Sequence, residues 1–409
     1  MAIERNFCKY SFALTLLGFL LYLTDIGTDL WVAVVYLKDG HIVWCILVVS
    51  VMLVSAIILQ SFSWSWYKDD ENSSDGCHGP HARGCCSWFG VLHVFQMGVL
   101  LRFIEALKYG YKAAFKKEET TLFAIYSATD LSMLRLFEAF LEAAPQLVLQ
   151  VFILLISVNR TYIQYVSVIL SCMSISWATL DYYATLKKSL PDHPTLICGF
   201  PYLLYFFYKL LTLNARILLI TLLTMIDIRF MIVYLFVSWL IMIICVCVQK
   251  TKFCSSKIQE GIYRAVVAII LVFTFFNIKD KNTRIIMSIY YAFRFVETVA
   301  VLAICWFLEY LIFVESYSLA VSFTIVFSLT LGIVYLVLYY SCCHPTDRDF
   351  NHTDNAVQLP LSCDEIDGYS TEKNSTVILK NKNENSIMIN SADTKSGNIN
   401  YRIKKCLSI

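Results

Sequence analysis

Long apolar segments separated by short polar turns follow one another along most of this chain. Each is about long enough for a helix to cross a hydrocarbon core of roughly 30 Å at a rise of about 1.5 Å per residue. Ten segments can be drawn, at residues 11–37, 42–66, 88–111, 121–157, 162–186, 196–225, 230–248, 261–278, 285–310 and 318–340. The pattern therefore predicts an all-α polytopic membrane protein.

The basic turns at residues 112–117 and 250–257 decide how many of these segments cross the membrane. Short loops rich in lysine and arginine stay in the cytoplasm, but both turns would be translocated if all ten segments crossed. The conflict disappears if the third and eighth segments enter and leave on the same side. The sequence therefore predicts eight transmembrane helices plus two re-entrant or interfacial segments, with both termini cytoplasmic.

The order of the segments repeats along the chain. Segments one to five and six to ten each comprise two spans, one non-crossing segment and two more spans, which implies a parallel repeat. We expect two pseudo-symmetric halves of the membrane domain, at residues 1–190 and 191–340. Residues 341–409 are polar, rich in asparagine and poor in aromatic side chains, so we expect a disordered cytoplasmic tail.

Composition supports the membrane assignment and narrows the function. Hydrophobic residues make up 58% of the chain and charged residues 16%, whereas soluble domains have about 25% charged residues. The net charge of +2 excludes a general nucleic-acid binder. The sequence has no Cys-x-x-Cys pair, phosphate-binding loop, nucleophile elbow or metalloprotease helix. We therefore expect no metal, no cofactor and no enzyme activity.

Charged side chains nevertheless lie inside the apolar segments. A charge that faces lipid at the centre of a helix costs about 3 kcal/mol, so the sum would exceed a net stability of roughly 5 to 15 kcal/mol. We interpret Asp181 and Arg264 as residues near helix ends whose charges reach the interface. The remaining charges need polar surroundings within the membrane.

The fourth segment carries a polar ladder through much of the membrane. Its members share spacings of three and four, an arc of about 120° and about 22 Å of helix axis. They are Arg135, Glu138, Glu142, Gln146 and Gln150. Pro145 lies within the ladder, lacks a backbone donor and clashes with the carbonyl of Leu141, so we expect a bend or bulge there.

Two other segments carry charges of opposite sign. Asp25 and Asp29 share a face of the first segment, and Lys209 and Arg216 share a face of the sixth. We expect Lys209 and Arg216 to pair with the ladder glutamates or with the two aspartates. Two interpretations stay open: the charges only hold helices together, or they line a hydrated, functional path.

The tail contains a candidate protease site. Asp364, Glu365, Ile366 and Asp367 precede Gly368, and this pattern resembles the preference of effector caspases, which cut after the final aspartate. Exposed tails are also where proteolysis acts. Cleavage would release residues 368–409, which include apolar patches at 377–379 and 387–389. We hypothesise that these patches close the cytoplasmic mouth of the bundle until the chain is cut.

The sequences Tyr-Leu-Thr-Asp-Ile-Gly-Thr-Asp at residues 22–29 and Glu-Ala-Ala-Pro-Gln-Leu-Val-Leu-Gln at residues 142–150, with the tail site, resemble the XK-related membrane proteins. The resemblance is to the caspase-activated phospholipid scramblases of that family. It implies a multi-pass plasma-membrane protein that lets phosphatidylserine reach the outer leaflet without ATP, once an effector caspase has cut it. Some relatives have a single-span accessory subunit, which makes such a subunit a candidate partner.

On this interpretation, lipid headgroups move along the intramembrane polar residues. The candidate path residues are Asp25, Asp29, Arg135, Glu138, Glu142, Gln146, Gln150, Lys209 and Arg216. Two alternatives come from other classes of protein. One is a secondary transporter or channel for a small solute, and the other is a membrane scaffold that transports nothing.

Overall fold

The computed structural model describes residues 9–72, 86–116, 121–156, 162–189, 200–249, 251, 253–254, 256–277, 283–312 and 316–343. All regular secondary structure in these ranges is helical, which confirms the all-α prediction. The helices are α1 (Lys9–Lys38), α2 (Ile42–Asn72), α3 (Cys86–Val94), α4 (Gly98–Tyr111), α5 (Thr121–Glu138), α6 (Ala144–Ile156), α7 (Tyr162–Ser189), α8 (Phe200–Ile226), α9 (Ile228–Val248), α10 (Lys257–Phe273), α11 (Thr283–Ile312) and α12 (Ser316–Leu338).

The outer surface of the bundle is apolar, as expected for a protein that lipid surrounds. On α9, for example, Val233, Phe236 and Val237 are exposed, whereas Ser238 is buried. A soluble helix would bury the apolar face and expose the polar one. The distribution on α9 is the reverse, because hydrocarbon replaces water outside the helix.

Seven helical stretches in the described ranges are long and apolar enough to cross a membrane. They are α1, α2, the joined helices α5 and α6, α8, α9, α11 and α12. Helix α7, the remaining member of the predicted set of eight, is not among them. It has 28 residues and therefore measures about 42 Å, but Asp181, Lys187 and Lys188 lower its apolar character. The assignment of α7 as a span thus depends on its length alone.

The third apolar segment forms two short helices instead of one span. Helix α3 ends at Val94, α4 begins at Gly98, and Gln96 between them has a φ of 62°. The Gln60 side chain donates to the Gln96 carbonyl at 2.8 Å and accepts from the Gly98 amide at 3.1 Å. Helix α4 has 14 residues, about 21 Å, and continues into a π-helical turn, Lys112–Lys116, that begins and ends with lysine. Its apolar part is therefore too short to cross the core, in agreement with a re-entrant or interfacial segment.

The eighth apolar segment also ends within the protein. Helix α10 has 17 residues and stops at Phe273, after which Thr274, Phe275 and Phe276 are buried without helical structure. Non-helical backbone at membrane depth is tolerated only where protein or a polar cavity supplies hydrogen bonds. The end of α10 therefore needs donors from neighbouring helices.

The bend predicted in the fourth segment is confirmed. A π-helical turn, Ala139–Ala143, joins α5 to α6 immediately before Pro145. It contains Leu141, whose carbonyl would clash with the Pro145 ring in a regular α-helix. The wider π-helical turn avoids this clash at a residue that has no backbone donor. Bulges of this kind are frequent at functional sites.

Helix α8 contacts α6, α7, α9 and α11 and packs closely on α12. Gly332 of α12 meets Thr212 and Leu211 of α8. A Cβ atom at Gly332 would lie 2.8 Å from Thr212 Cγ2 and 3.2 Å from the Thr212 backbone nitrogen. Glycine at this position therefore permits the close approach of two helix backbones.

Gly332→Ala is expected to destabilise the protein by about 1 to 3 kcal/mol, because the backbone of α8 cannot move away from the added methyl group without repacking. Gly27→Ala in α1 is the matched control. A Cβ atom there meets no atom within 4 Å, so the change should stabilise the helix by up to about 1 kcal/mol. Thermal unfolding in detergent measures both, and equal effects of the two substitutions would contradict the packing argument.

Several predicted features lie outside the described residues. These are the caspase-like site at residues 364–368 and the tail beyond residue 343. The division into halves at residues 1–190 and 191–340 stays a prediction.

Candidate functional site

One end of the bundle contains a vestibule, where α1 and α5 begin and α7 ends. It is a partly open cavity with a volume of about 40 Å³, and its polar lining includes Ser11, Thr15, Ser132, Thr185 and Lys188. The Lys188 ammonium contacts the Ser11 hydroxyl at 3.3 Å. The charge distribution predicts that this end faces the cytoplasm. The vestibule thus offers hydroxyl groups and a cation to molecules at that face.

The Arg135–Asp181 ion pair lies at the inner limit of the vestibule, with 3.7 Å between Arg135 Nη1 and Asp181 Oδ2. Asp181 lies about two turns before the end of α7 and is paired within the bundle. The interpretation of Asp181 as a residue that reaches the interface is therefore wrong. Arg264 also has protein partners, since its Nε lies 3.3 Å from the Glu260 carboxylate and its Nη2 donates to the Thr251 carbonyl.

The absence of a side chain at Gly18 of α1 leaves room for the Arg135 side chain. A Cβ atom at Gly18 would overlap the Arg135 guanidinium group. Because glycine has no side chain, the guanidinium lies directly against the α1 backbone. Sequence reasoning did not select Gly18, since a single glycine in an apolar helix gives no signal of which side chain it accommodates.

The carboxyl groups of Asp25, Asp29, Glu138 and Glu142 form an acidic cluster where α1 meets α5 and the π-helical turn. The Glu142 carboxyl contacts that of Asp29, and Glu138 interacts electrostatically with all three other members. The cation that interacts with Asp25 and Glu138 is Arg135. Two of the four acidic groups thus interact with Arg135, which also pairs with Asp181.

The polar ladder extends beyond the acidic cluster into α6. Gln146 Nε2 donates to Asp29 Oδ2 at 3.1 Å, so the ladder and α1 are directly bonded. Gln150 lies one turn further, and its buried Oε1 has no hydrogen-bond partner within the described residues. Glu138, Glu142 and Gln146 are all buried. The ladder is therefore enclosed by protein in this conformation and does not form an open furrow.

Lys209 and Arg216 do not meet the acidic cluster. Lys209 Nζ lies 2.7 Å from the Phe275 carbonyl and 3.1 Å from Thr274 Oγ1, and Arg216 Nε donates to the Val272 carbonyl at 2.8 Å. The expectation that these residues pair with the ladder glutamates or with the α1 aspartates is wrong. The Val272 carbonyl at the end of α10 and the Phe275 carbonyl just beyond it are the partners instead. A helix C-terminus leaves its last carbonyls unpaired and negatively polarised.

A network of charges joins α8, α9 and α11 beside the end of α10. The Glu297 carboxylate lies 2.6 Å from Arg294 Nη1 and 3.4 Å from Arg216 Nη1. Tyr234 donates to Glu297 at 2.9 Å and also contacts Arg216. Arg294 Nη2 donates to the Leu271 carbonyl at 2.6 Å. One carboxylate therefore balances two arginines.

The sequence contained a signal for part of this network. Arg294 and Glu297 are three residues apart, a spacing that lets them pair on a helix. Their connection to Arg216 joins positions about 80 residues apart and has no local signature. The two halves of the bundle thus hold charges of opposite sign: an acidic cluster, and a cationic group formed by Lys209, Arg216 and Arg294.

An aromatic contact lies between these two groups. Phe140 of the π-helical turn packs on Phe273, the last residue of α10, with ring centroids 5.9 Å apart. No set of three or more His, Cys, Asp or Glu side chains suited to a metal ion occurs in the described ranges. The acidic cluster and the cationic group can together attract charged groups of both signs.

Comparison with known proteins points to one family. A family model described as XK-related protein matches residues 13–345. XK-related protein 8 of Tetraodon nigroviridis is 33% identical over 348 residues, which cover 83% of this chain and 85% of that protein. XK-related protein 9 of the same species is 35% identical over 358 residues, covering 84% and 92%. XK-related protein 8 of Pan troglodytes is 36% identical over 294 residues, covering 71% and 73%.

Proposed function

This chain belongs to the XK-related family of membrane proteins, and on that premise we propose that it is a caspase-activated phospholipid scramblase of the plasma membrane. It would expose phosphatidylserine on apoptotic cells without ATP. The observation that carries the proposal is the polar ladder, which leads from the vestibule at Arg135 to Gln146 and Gln150. Its length exceeds what holding two helices together requires.

A lipid can cross if its headgroup follows polar side chains while its acyl chains stay in the hydrocarbon. In this mechanism Lys188 and Arg135 attract the phosphate at the vestibule, and the acidic cluster attracts the ammonium group. The lipid gradient supplies the driving force, so no nucleotide is needed. Phospholipids are thus the cargo, and a single-span accessory subunit is a candidate partner.

Movement of α1 would open the path. The buried residues of this 30-residue helix are Gly18, Asp29 and Ala33, so α1 is attached to the bundle by few enclosed side chains. Separating α1 from α6 breaks the hydrogen bond between Asp29 and Gln146 and uncovers the ladder. Lightly packed elements are the ones that open at low free energy.

In the proposal, an effector caspase starts this opening by cutting after Asp367 and releasing residues 368–409. The test uses vesicles that contain a fluorescent phosphatidylserine and a membrane-impermeant quencher added outside. Cut protein should expose all of the dye, whereas uncut protein and an Asp367→Asn variant treated with caspase should expose only the outer leaflet. Loss of an entrapped solute without lipid flip would favour a transporter or channel. The absence of both lipid flip and solute loss would favour a scaffold.

Gly18→Ala is expected to slow lipid flip severalfold while changing the stability by less than about 1 kcal/mol. The new methyl group displaces the flexible end of Arg135 from Asp181, and a flexible side chain moves at little cost. Flip rates and thermal unfolding are measured on the cut protein. Gly27→Ala, with no atom within 4 Å of the new Cβ, is the control on the same helix, and equal flip rates in both variants would exclude a role for the Arg135 position.

A further inference from the structure

A second cavity lies away from the vestibule and the ladder, between α8, α11, α12 and the end of α10. It is partly open to the outside and has a cavity volume of about 20 Å³, and Ala215, Thr298 and Leu329 form part of its wall. A cavity holds one water once this volume reaches about 10 to 15 Å³. The cavity therefore has room for at least one water, and a larger group fits if it extends into the opening.

Two buried arginines of the charge network line this cavity and each has a nitrogen without a partner. Arg216 and Arg294 are both 5% exposed. Arg216 Nη2 and Arg294 Nε find no hydrogen-bond acceptor within the described residues, although the other nitrogens of both groups do. Buried donors are almost always satisfied, so unpaired ones indicate an acceptor from outside the chain.

The charges around the cavity favour an acceptor that is negative. Arg216 and Arg294 contribute two positive charges at the cavity, and Glu297 contributes one negative charge. The C-terminus of α10 adds only about half a negative charge. A net positive charge therefore remains in a buried place, where an uncompensated charge is costly.

We propose that this cavity binds a phosphate-type anion, which accepts hydrogen bonds from Arg216 Nη2 and Arg294 Nε. Guanidinium groups match the oxygen geometry of phosphate. The phosphate is either the diester of a lipid headgroup or free inorganic phosphate, since both present the same oxygens. Binding here requires neither lipid flip nor caspase cleavage. An experiment can therefore disprove this site without disproving the proposed function, and the reverse.

The test is thermal unfolding of the purified full chain in a neutral detergent, with gluconate as the bulky background anion at constant ionic strength. Inorganic phosphate and glycerophosphocholine are titrated separately. A ligand that binds only the folded protein raises the unfolding temperature in a saturable way. Stabilisation by inorganic phosphate alone identifies a free-anion site, and stabilisation by the glycerophosphodiester identifies a headgroup site.

Two variants test whether the stabilisation by phosphate arises from binding in the cavity. Ala215→Leu fills the space without changing a charge, and Arg294→Lys keeps the charge but removes the Nε donor. Each should raise the half-saturating phosphate concentration by at least about tenfold. Arg264→Lys, whose arginine pairs with Glu260 outside the cavity, is the matched control. The proposal is overturned if neither ligand gives saturable stabilisation, or if Ala215→Leu responds like the unchanged protein.

Discussion

Lipid flip by the caspase-cut protein is expected to fall by about tenfold or more when Glu142 is replaced with glutamine, which corresponds to about 1.4 kcal/mol on the barrier. Glutamine has nearly the same shape and can still bond to Asp29, but it cannot ionise. If the cluster attracts the headgroup ammonium, a carboxylate at this position lowers the barrier directly. The measurement is the rate at which an external quencher reaches fluorescent lipid.

The thermal stability of Glu142→Gln should not fall together with its rate of lipid flip. Glu142 is buried beside the carboxyl groups of Asp25, Asp29 and Glu138, so a side chain that cannot ionise avoids both the desolvation of a charge and repulsion between like charges. We therefore expect the unfolding temperature of Glu142→Gln to stay the same or rise. Glu260→Gln, a matched change in the first turn of α10, should leave flip intact. Unchanged flip with lower stability in Glu142→Gln would favour the interpretation that these charges only hold helices together.

Sequence patterns predicted the features that depend on one helix at a time. The apolar runs predicted the helices, and Pro145 predicted the irregular turn at Ala139–Ala143, because both are determined by neighbouring residues. The basic turns predicted that the third and eighth segments do not cross. The short α4 and the buried end of α10 agree with that prediction.

Partners between helices were not predictable in the same way. Charge signs suggested that Lys209 and Arg216 bond to carboxylates, but buried backbone carbonyls at the end of α10 compete for the same donors. The sequence does not show where a helix stops inside a membrane. The enclosure of the ladder also could not be anticipated, since periodicity indicates which residues share a face but not whether another helix covers that face.

Glu297→Gln is expected to destabilise the protein by about 3 to 5 kcal/mol, the largest effect of a single isosteric change that we predict. Glu297 is the carboxylate that balances both Arg216 and Arg294, and the two guanidinium groups stay buried after the change. A buried cation that loses its partner carries its full desolvation penalty. The free energy of unfolding, followed by denaturant titration of the detergent-solubilised protein, measures the loss.

A second substitution distinguishes charge from packing as the cause. Arg294→Gln in the Glu297→Gln background removes one of the two unbalanced cations, so the double variant should be more stable than Glu297→Gln alone. Glu260→Gln is the control, because its partner Arg264 is more exposed and water screens part of the lost charge. If the double variant is instead less stable than either single variant, the network stabilises the bundle through shape and hydrogen bonds, and the charge balance around Glu297 is not the decisive term.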